Sequence, residues 1–295
     1  MKVQILRFIA GRLHRAMAWP ALILYAVFFL LPLAQGIGLS LTDWNGITKP
    51  NFIGLKNFVD FFQDDRAKRD VLNTVLFAAA SAPLLNLFGL AYALLLDRPF
   101  PGRSAVRAIV YMPAVISPLI MGYIWYFLLQ PGRGFLHQVG ERFGIGFLQA
   151  DWLGNPTTTI WVIVLVNVWQ YVGMTMIIYL AGLQAIPGEL LEAARIDGAG
   201  WWSSLVRVTI PLLTPAININ VVTNIIGSLA VFDIVVALTD GGPGYATETL
   251  SLYIMRMLYG SYTGYATAVA ILLFLIILLP VSVYLLLMRK RQFEL

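Results

Sequence analysis

The run TTTIWVIVLVNVWQYVGMTMIIYLAG, residues 157–182, decides the fold class because it carries no charged side chain over a length that can cross a bilayer. A transmembrane helix needs about 20 predominantly apolar residues, and a helix is the single-span form that satisfies its own backbone hydrogen bonds in hydrocarbon. Across the chain 59% of the residues are hydrophobic and 12% are charged, whereas soluble domains are about 25% charged. The sequence therefore predicts an integral membrane protein.

Similar runs recur along the chain and predict an all-α polytopic membrane protein with six transmembrane helices. Only Arg107 and Asp233 are charged within these runs. Prolines lie in or beside several of them, which predicts kinked helices around a pathway. We expect one transmembrane domain over residues 17–288, between a cytoplasmic segment at residues 1–16 and a cytoplasmic tail at residues 289–295. The predicted spans are residues 17–41, 71–96, 105–129, 157–182, 212–238 and 265–288.

Basic residues in the connecting segments predict the orientation, since short cytoplasmic loops are enriched in lysine and arginine. Of the 20 basic residues, twelve lie on one side of this topology and eight lie on the other, where nine acidic residues more than offset them. Both termini are therefore expected in the cytoplasm. The first span is too long for a signal-peptide core and lacks an A-x-A cleavage site, so we expect it to be retained. The twelve are Lys2, Arg7, Arg12, Arg15, Arg98, Arg103, Arg107, Arg195, Arg207, Arg289, Lys290 and Arg291.

Missing residue types exclude several classes of function. The chain has no cysteine, which excludes disulfides, thiolate metal sites and cysteine nucleophiles. Its two histidines, His14 and His137, lie outside the predicted spans, which argues against a paired-histidine metal site or a buried serine–histidine dyad. No lysine follows glycine in the manner of a Walker loop, so ATP hydrolysis requires another chain. We expect neither an enzyme nor a cofactor in this chain, and we assign its net charge of +5 to membrane topology rather than to nucleic acid.

A polar interruption, IPGELLEAARIDGAG at residues 186–200, separates the fourth and fifth predicted spans. Pro187 suits the first turn of a helix, Glu189 lies near its positive N-terminus, and Gly198 ends it. This helix is too short to span a bilayer, and its small side chains allow another protein to approach closely. The amphipathic piece WWSSLVRVTI follows before Pro211, so the segment predicts a helix-turn-helix along the cytoplasmic face. An ordinary interfacial loop remains the alternative on these residues alone.

The spacing of this segment resembles the EAA loop of inner-membrane permeases of ATP-binding-cassette importers. That pattern is EAA, three residues, glycine, nine residues and I-x-L-P, and here Val208 and Ile210 replace the isoleucine and leucine. In the family the loop inserts into a cleft on a separate ATPase subunit, so the resemblance implies a coupling helix within a loop of about residues 187–211. The coupling residues that it implies are Glu189, Glu192, Ala193, Ala194, Arg195, Asp197, Gly198 and Pro211.

Other stretches resemble permeases of the carbohydrate uptake type, related to maltose and glycerol-phosphate importers. They are LSLTDWNG, FIGLKNF, NTVLF and LTDGGPGYATETL, at residues 39–46, 52–58, 73–77 and 238–250. The resemblance implies a permease subunit in the cytoplasmic (inner) membrane of a bacterium or archaeon. Its implied partners are a second homologous permease subunit, two copies of an ATPase subunit that binds ATP and Mg, an extracytoplasmic solute-binding protein, a sugar-like solute and membrane lipid.

Polar residues on the fourth and fifth spans predict the solute pathway, because dehydrated sugar hydroxyls need amide or hydroxyl partners and sugar rings pack on aromatic surfaces. Residues at helical three-and-four spacing share a face. Hydrogen bonding between helices is the alternative use of the same amides. The resemblance implies that positions 224, 227, 228 and 231 match solute contacts of the maltose permease. The predicted pathway residues are Asn167, Trp169, Gln170, Tyr171, Asn220, Asn224, Gly227, Ser228 and Val231.

Asp233 is the one acidic residue inside a predicted span, and such residues are functional suspects. Counted along a continuous helix, it lies away from the Asn224 face, so we expect a structural or gating role for it. The alternative function is a self-contained secondary transporter or channel. That class would require buried coupling groups and an internal inverted repeat, and one peripheral acid without an evident repeat favours the importer subunit.

Overall fold

The computed structural model describes residues 19–289, most of which lie in helices. The expected cytoplasmic segment at residues 1–16 and residues 290–295 of the expected tail, with their basic side chains, lie outside the described residues. Within the described range no β-strand occurs, and an isolated bridge pairs Thr42 with Phe52. The prediction of an all-α chain is therefore confirmed for the part that the structure describes.

The helices vary widely in length, and short helices separate the long ones. A 3₁₀ turn, Gly146–Gln149, precedes the helix that begins at Thr159. In chain order the helices are α1 Trp19–Ser40, α2 Lys56–Gln63, α3 Asp65–Asp97, α4 Arg103–Val115, α5 Pro118–Leu129, α6 Phe135–Phe143, α7 Thr159–Gln184, α8 Gly188–Ile196, α9 Trp201–Leu212, α10 Thr214–Leu229, α11 Asp233–Thr239, α12 Leu250–Tyr259 and α13 Thr263–Arg289.

Four of these helices are long and apolar enough to cross a membrane: α1, α3, α7 and α13. The pairs α4 with α5 and α9 with α10 meet the same criterion together, but they are bent by 97° and 71°. Residues 19–289 thus hold four candidate spans, or up to six if each bent pair is one span. The third and fifth predicted spans, residues 105–129 and 212–238, are not continuous helices.

The break between α4 and α5 follows from Pro118, because a proline disfavours helical backbone in the residue before it. Ser117 is accordingly extended, and so is Ile116, the residue that ends α4. The break frees the backbone carbonyl of Ile116, which accepts a hydrogen bond of 3.0 Å from the Gln170 side chain on α7. A buried side-chain amide thereby supplies the hydrogen bond that this carbonyl could not obtain from hydrocarbon.

The fifth predicted span is interrupted twice. Leu213 ends α9 just before Thr214 and Pro215, where the chain bends into α10. A second break separates α10, which ends at Leu229, from α11, which begins at Asp233. The hydroxyl of Thr249 donates to the carbonyl of Val231 within this second break at 3.1 Å.

The chain divides into two compact units. In the described residues the first unit comprises residues 19–63 and 254–271. There the buried Asn57 amide donates to the carbonyls of Ser40 at 2.7 Å and Thr42 at 2.9 Å, which fixes α2 against the end of α1. The second unit comprises residues 64–253 and 272–289.

The second unit is built around the crossing of α3 and α7. Gly89 of α3 lies so close to Thr175 of α7 that an added Cβ would come within 2.8 Å of the threonine Cβ. Small residues permit this approach and are typical of packed membrane helices. A buried cluster fills the space beside the crossing and includes α10; its members are Ala93, Leu96, Met176, Tyr179, Leu180, Leu183, Leu213 and Ala216.

Candidate solute pathway and coupling segment

A cavity of about 310 Å³ lies beside α7, α10 and the break between α10 and α11. Its walls combine amides, hydroxyls, one carboxylate and apolar side chains, which is the mixture that a polar ligand with an apolar surface requires. The polar lining residues are Asn167, Tyr171, Thr175, Asn220, Thr223, Asn224, Ser228 and Asp233.

Most of the predicted pathway residues line this cavity, and two do not. Gln170 is fully buried, and its amide nitrogen donates to the Ile116 carbonyl in the break after α4. Trp169 packs edge-on against Trp125, with ring centroids 5.4 Å apart, and stays outside the lining. The predicted residues that do line the cavity are Asn167, Tyr171, Asn220, Asn224, Gly227, Ser228 and Val231.

The expectation that Asp233 lies away from the Asn224 face is wrong. That expectation assumed one continuous helix, but α10 ends at Leu229 and α11 begins at Asp233. The break resets the helical angle, and Asp233 lines the same cavity as Asn224, with its side chain exposed. An acidic group is thus present among the amides and hydroxyls.

Some of the amides also hold helices together. Asn220 donates to the Thr175 carbonyl at 3.1 Å and is buried, while Asn224 approaches the Thr175 hydroxyl at 3.3 Å. Asn218, outside the cavity, accepts a 2.8 Å hydrogen bond from the Tyr284 hydroxyl. Asn218, Asn220 and Asn224 therefore all bond between helices, the role that the sequence left open, but Asn224 is only partly buried and keeps access to the cavity.

Several lining residues are not among the predicted pathway residues. Thr175 lies four residues after Tyr171, so helical spacing alone could have placed it on the same face. Leu85 comes from α3 and Pro118 from the start of α5, and nothing in the local pattern of those segments indicates that they reach the site.

The EAA segment forms a nine-residue helix, α8, with Glu189 in its first turn and Arg195 in its last, as the helix dipole favours. Its end has the hydrogen bonds of a Schellman motif. The Gly198 amide donates to the Arg195 carbonyl at 3.0 Å, and the Ala199 amide donates to the Ala194 carbonyl at 2.9 Å. Gly198 has a φ of +80°, the left-handed conformation that glycine adopts without a Cβ penalty.

Most of α8 faces outward. Ile196 is 87% exposed, an unusual position for an apolar side chain, and Glu189, Glu192, Ala193, Arg195 and Asp197 are exposed as well. Ala194 is the exception, because it is buried within the chain. Of the two alanines in the motif, only Ala193 is therefore on the outer surface. Pro211 lies near the end of α9 and is exposed.

An ion pair fixes the segment between α11 and α12 to the N-terminal end of α3. The Arg66 guanidinium contacts both carboxylate oxygens of the buried Glu248, at 2.7 and 2.8 Å, and lies 4.0 Å over the Tyr245 ring. The Asn73 amide donates to the Glu248 carbonyl at 3.0 Å. The chain turns tightly just before these residues, with positive φ at Gly241 and Gly244.

Asp64 precedes α3 and caps it. Its carboxylate accepts from the backbone amide of Arg66 at 2.8 Å and from the Tyr253 hydroxyl at 2.5 Å. Burial raises the pKa of this carboxyl, but these hydrogen bonds and the Arg66 charge outweigh it, so the net pKa of Asp64 lies below its usual value. The cap is therefore strongest when Asp64 is ionised.

Comparison with known proteins identifies the class. Residues 85–292 match the family described as "Binding-protein-dependent transport system inner membrane component", and the chain belongs to that family. It is accordingly a membrane-embedded subunit of a transport system that works with a binding protein, and not an enzyme, as the sequence predicted.

Relatives in this family are sugar transport permeases. The chain is 34% identical over 278 residues, 93% of each chain, to the probable starch degradation products transport system permease protein AmyD of Thermoanaerobacterium thermosulfurigenes. It is 33% identical over 288 residues, 97% of each chain, to the trehalose/maltose transport system permease protein MalF of Thermococcus litoralis. A chain in the crystal structure of a bacterial ABC transporter that imports alginate superposes with a TM-score of 0.81 at 27% identity, covering 97% of this chain and 99% of the other.

Proposed function

We propose that this chain forms half of the translocation pathway of an ATP-driven importer for a sugar or sugar-like solute. The observation that carries the proposal is the cavity beside the α10–α11 break, where amides and hydroxyls stand next to apolar walls. Dehydrated sugar hydroxyls need such hydrogen-bond partners. The relatives named above are transporters of starch products, trehalose and maltose, which supports the same class of solute.

The size of the cavity supports a half-site. Its volume of about 310 Å³ is at the lower limit of ordinary ligand sites, which run from about 300 to 1,000 Å³. An oligosaccharide would need more space, and we infer that a second homologous permease supplies the opposite wall. Asn224, Ser228 and Asp233 are the residues that we expect to contact or gate the solute.

We infer that α8 docks on a separate ATPase subunit. Its support is the outward face that carries Glu192, Ala193 and the exposed Ile196, on a helix whose end is fixed by Gly198. Glu192 would orient the loop, and Gly198 would allow its turn. ATP and Mg would be bound by two copies of that ATPase, and their closure would switch the pathway from inward to outward access.

The orientation completes the proposal. We place α8, the C-terminus of α13 and both chain termini on the cytoplasmic side of a bacterial or archaeal inner membrane, because most of the basic residues lie there. Solute would arrive on the opposite side with the binding protein. One solved relative is an alginate transporter in complex with a pentasaccharide-bound periplasmic protein, which supports that arrangement.

Two isoleucines allow a direct test of docking and orientation, because the chain has no native cysteine. Ile196 is 87% exposed and Ile47 is 85% exposed, so Ile196→Cys and Ile47→Cys form a matched pair. In intact cells a membrane-impermeant maleimide should label residue 47 and not residue 196. In inside-out vesicles a short thiol crosslinker should join residue 196, and not residue 47, to a Walker-containing subunit. Outside labelling of residue 196 would refute the orientation, and failure to crosslink would refute the docking.

The cavity is tested by comparing two asparagines of α10. Asn224→Leu should slow uptake at saturating solute-loaded binding protein by about five- to tenfold, the effect of one hydrogen bond, and should lower the melting temperature no more than Asn218→Leu does, because Asn224 also bonds the Thr175 hydroxyl. Asn218→Leu should lower the melting temperature, because Asn218 bonds Tyr284, and leave uptake by the folded protein unchanged. Unaltered uptake in Asn224→Leu would contradict the proposed pathway.

A further inference from the structure

A second cavity of about 550 Å³ lies where α3 and α7 end and α8 and α9 begin. It is separate from the proposed pathway and shares no lining residue with it. Leucine and isoleucine side chains from the surrounding helices form one part of its wall. Charged residues and hydroxyls form the rest, so the cavity has a polar side and an apolar side.

Its charged side chains are Asp97, Arg98 and Arg195. Neither guanidinium makes an ion pair or a hydrogen bond with any residue that the structure describes. Two more arginines lie at the same end of α3, where Arg103 donates to the Asp97 carbonyl at 3.2 Å and Arg107 to the Leu96 carbonyl at 2.6 Å. The cavity lining itself carries two guanidinium groups and one carboxylate, so an anion is the complementary ligand.

The polar side also offers neutral donors. The hydroxyls of Ser204 and Thr209 line the cavity and have no hydrogen-bond partner among residues 19–289. Trp201 lines it too and is 58% exposed, with Trp202 beside it at 67%. Tryptophan pairs of this kind are typical of the level of lipid headgroups at the edge of a membrane protein.

We propose that this cavity binds the headgroup phosphate of an anionic phospholipid, with Arg98 and Arg195 contacting the phosphate. The apolar wall favours a lipid over a soluble anion, because it would pack against the glycerol and acyl portion. Basic pockets between helices at the cytoplasmic face are known sites for anionic headgroups. The orientation proposed above decides only from which leaflet of the membrane the lipid would bind. Since Arg195 belongs to α8, the bound lipid would touch the helix that we assign to ATPase docking.

The test is native mass spectrometry of the purified protein with the partners that co-purify, titrated with phosphatidylglycerol or phosphatidylcholine. The wild type should retain phosphatidylglycerol in preference to phosphatidylcholine. The double variant Arg98→Gln with Arg195→Gln should bind phosphatidylglycerol about thirtyfold more weakly, from two lost phosphate contacts. Arg207→Gln is the matched control, because Arg207 is exposed on α9 but does not line the cavity, and it should change binding less than about twofold.

Equal phosphatidylglycerol binding by the wild type and the double variant would overturn the proposal. So would displacement of the lipid by millimolar inorganic phosphate, since that result would indicate a site for a soluble anion. Binding in detergent does not depend on transport or on membrane orientation. A failure here would therefore leave the proposed function standing, and a failed crosslink at residue 196 would leave the lipid site standing.

Discussion

Replacing Gly198 with alanine isolates the contribution of one backbone conformation to the proposed coupling helix. A Cβ at this position meets no atom within 4 Å, so sterics with other residues play no part. The φ of +80° is the sole source of strain, and holding an L-residue in that region costs roughly 1–2 kcal/mol. The Schellman hydrogen bonds at the end of α8 should weaken by that amount, because both depend on this conformation.

Gly200 supplies the control. A Cβ there also meets nothing within 4 Å, but Gly200 has a φ of −64°, which alanine adopts freely. Gly200→Ala should therefore resemble the wild type. Gly198→Asn should lie between the wild type and Gly198→Ala, since asparagine tolerates left-handed backbone better than most residues.

Hydrogen–deuterium exchange at the Ala199 amide measures the effect directly, because that amide bonds the Ala194 carbonyl. A loss of 1–2 kcal/mol corresponds to an increase in exchange of about five- to thirtyfold. Solute-stimulated ATP hydrolysis by the assembled complex should fall in the same order of variants. Equal exchange in Gly198→Ala and Gly200→Ala would refute the reasoning about this turn.

Two further predictions concern the N-terminal end of α3. Arg66→Gln removes the guanidinium that binds both oxygens of the buried Glu248 carboxylate, and it should destabilise the protein by about 3 kcal/mol. Lys68→Gln is the control, because it breaks only the exposed pair with Asp65 and should leave the melting temperature unchanged. Equal melting temperatures of the two variants would contradict this ranking. Tyr253→Phe removes a hydrogen bond that lowers the pKa of Asp64. The stability that this hydrogen bond contributes is present above the usual carboxyl pKa of about 4, and it is lost as the pH falls through the lowered pKa of Asp64. Melting curves should show a deficit for Tyr253→Phe that is constant above about pH 5 and shrinks in acid, and a deficit that grows in acid would reverse the assigned sign.

Features encoded in a short stretch of sequence could be predicted, and those set by contacts between distant segments could not. The run at residues 157–182 became α7 because its apolar character is local, and Gly198 ends α8 because a glycine after a short helix is a local signal. The position of Gln170 outside the cavity lining could not be predicted from its own helix, because its partner, the Ile116 carbonyl, is freed only by the break before Pro118 on another helix.

The position of Asp233 could not be predicted from its helical angle for the same reason. Angle counting holds only within one helix, and the break after Leu229 carries no proline or glycine that would reveal it. The hydrogen bond from Thr249 to Val231 connects that break to a segment further along the chain. Tertiary contacts of this kind bring Asp233 into the cavity, and they are not visible in the pattern of a single span.

The measurement that tests the central claim most directly is ATP-dependent uptake after purification of the tagged chain from its native membrane. We predict that a second permease and a Walker-containing subunit co-purify with it. Liposomes that contain this complex should take up solute only with ATP on the α8 side and loaded binding protein on the other. A purified chain that moves solute by itself, without ATP or partners, would contradict the account and favour a self-contained transporter.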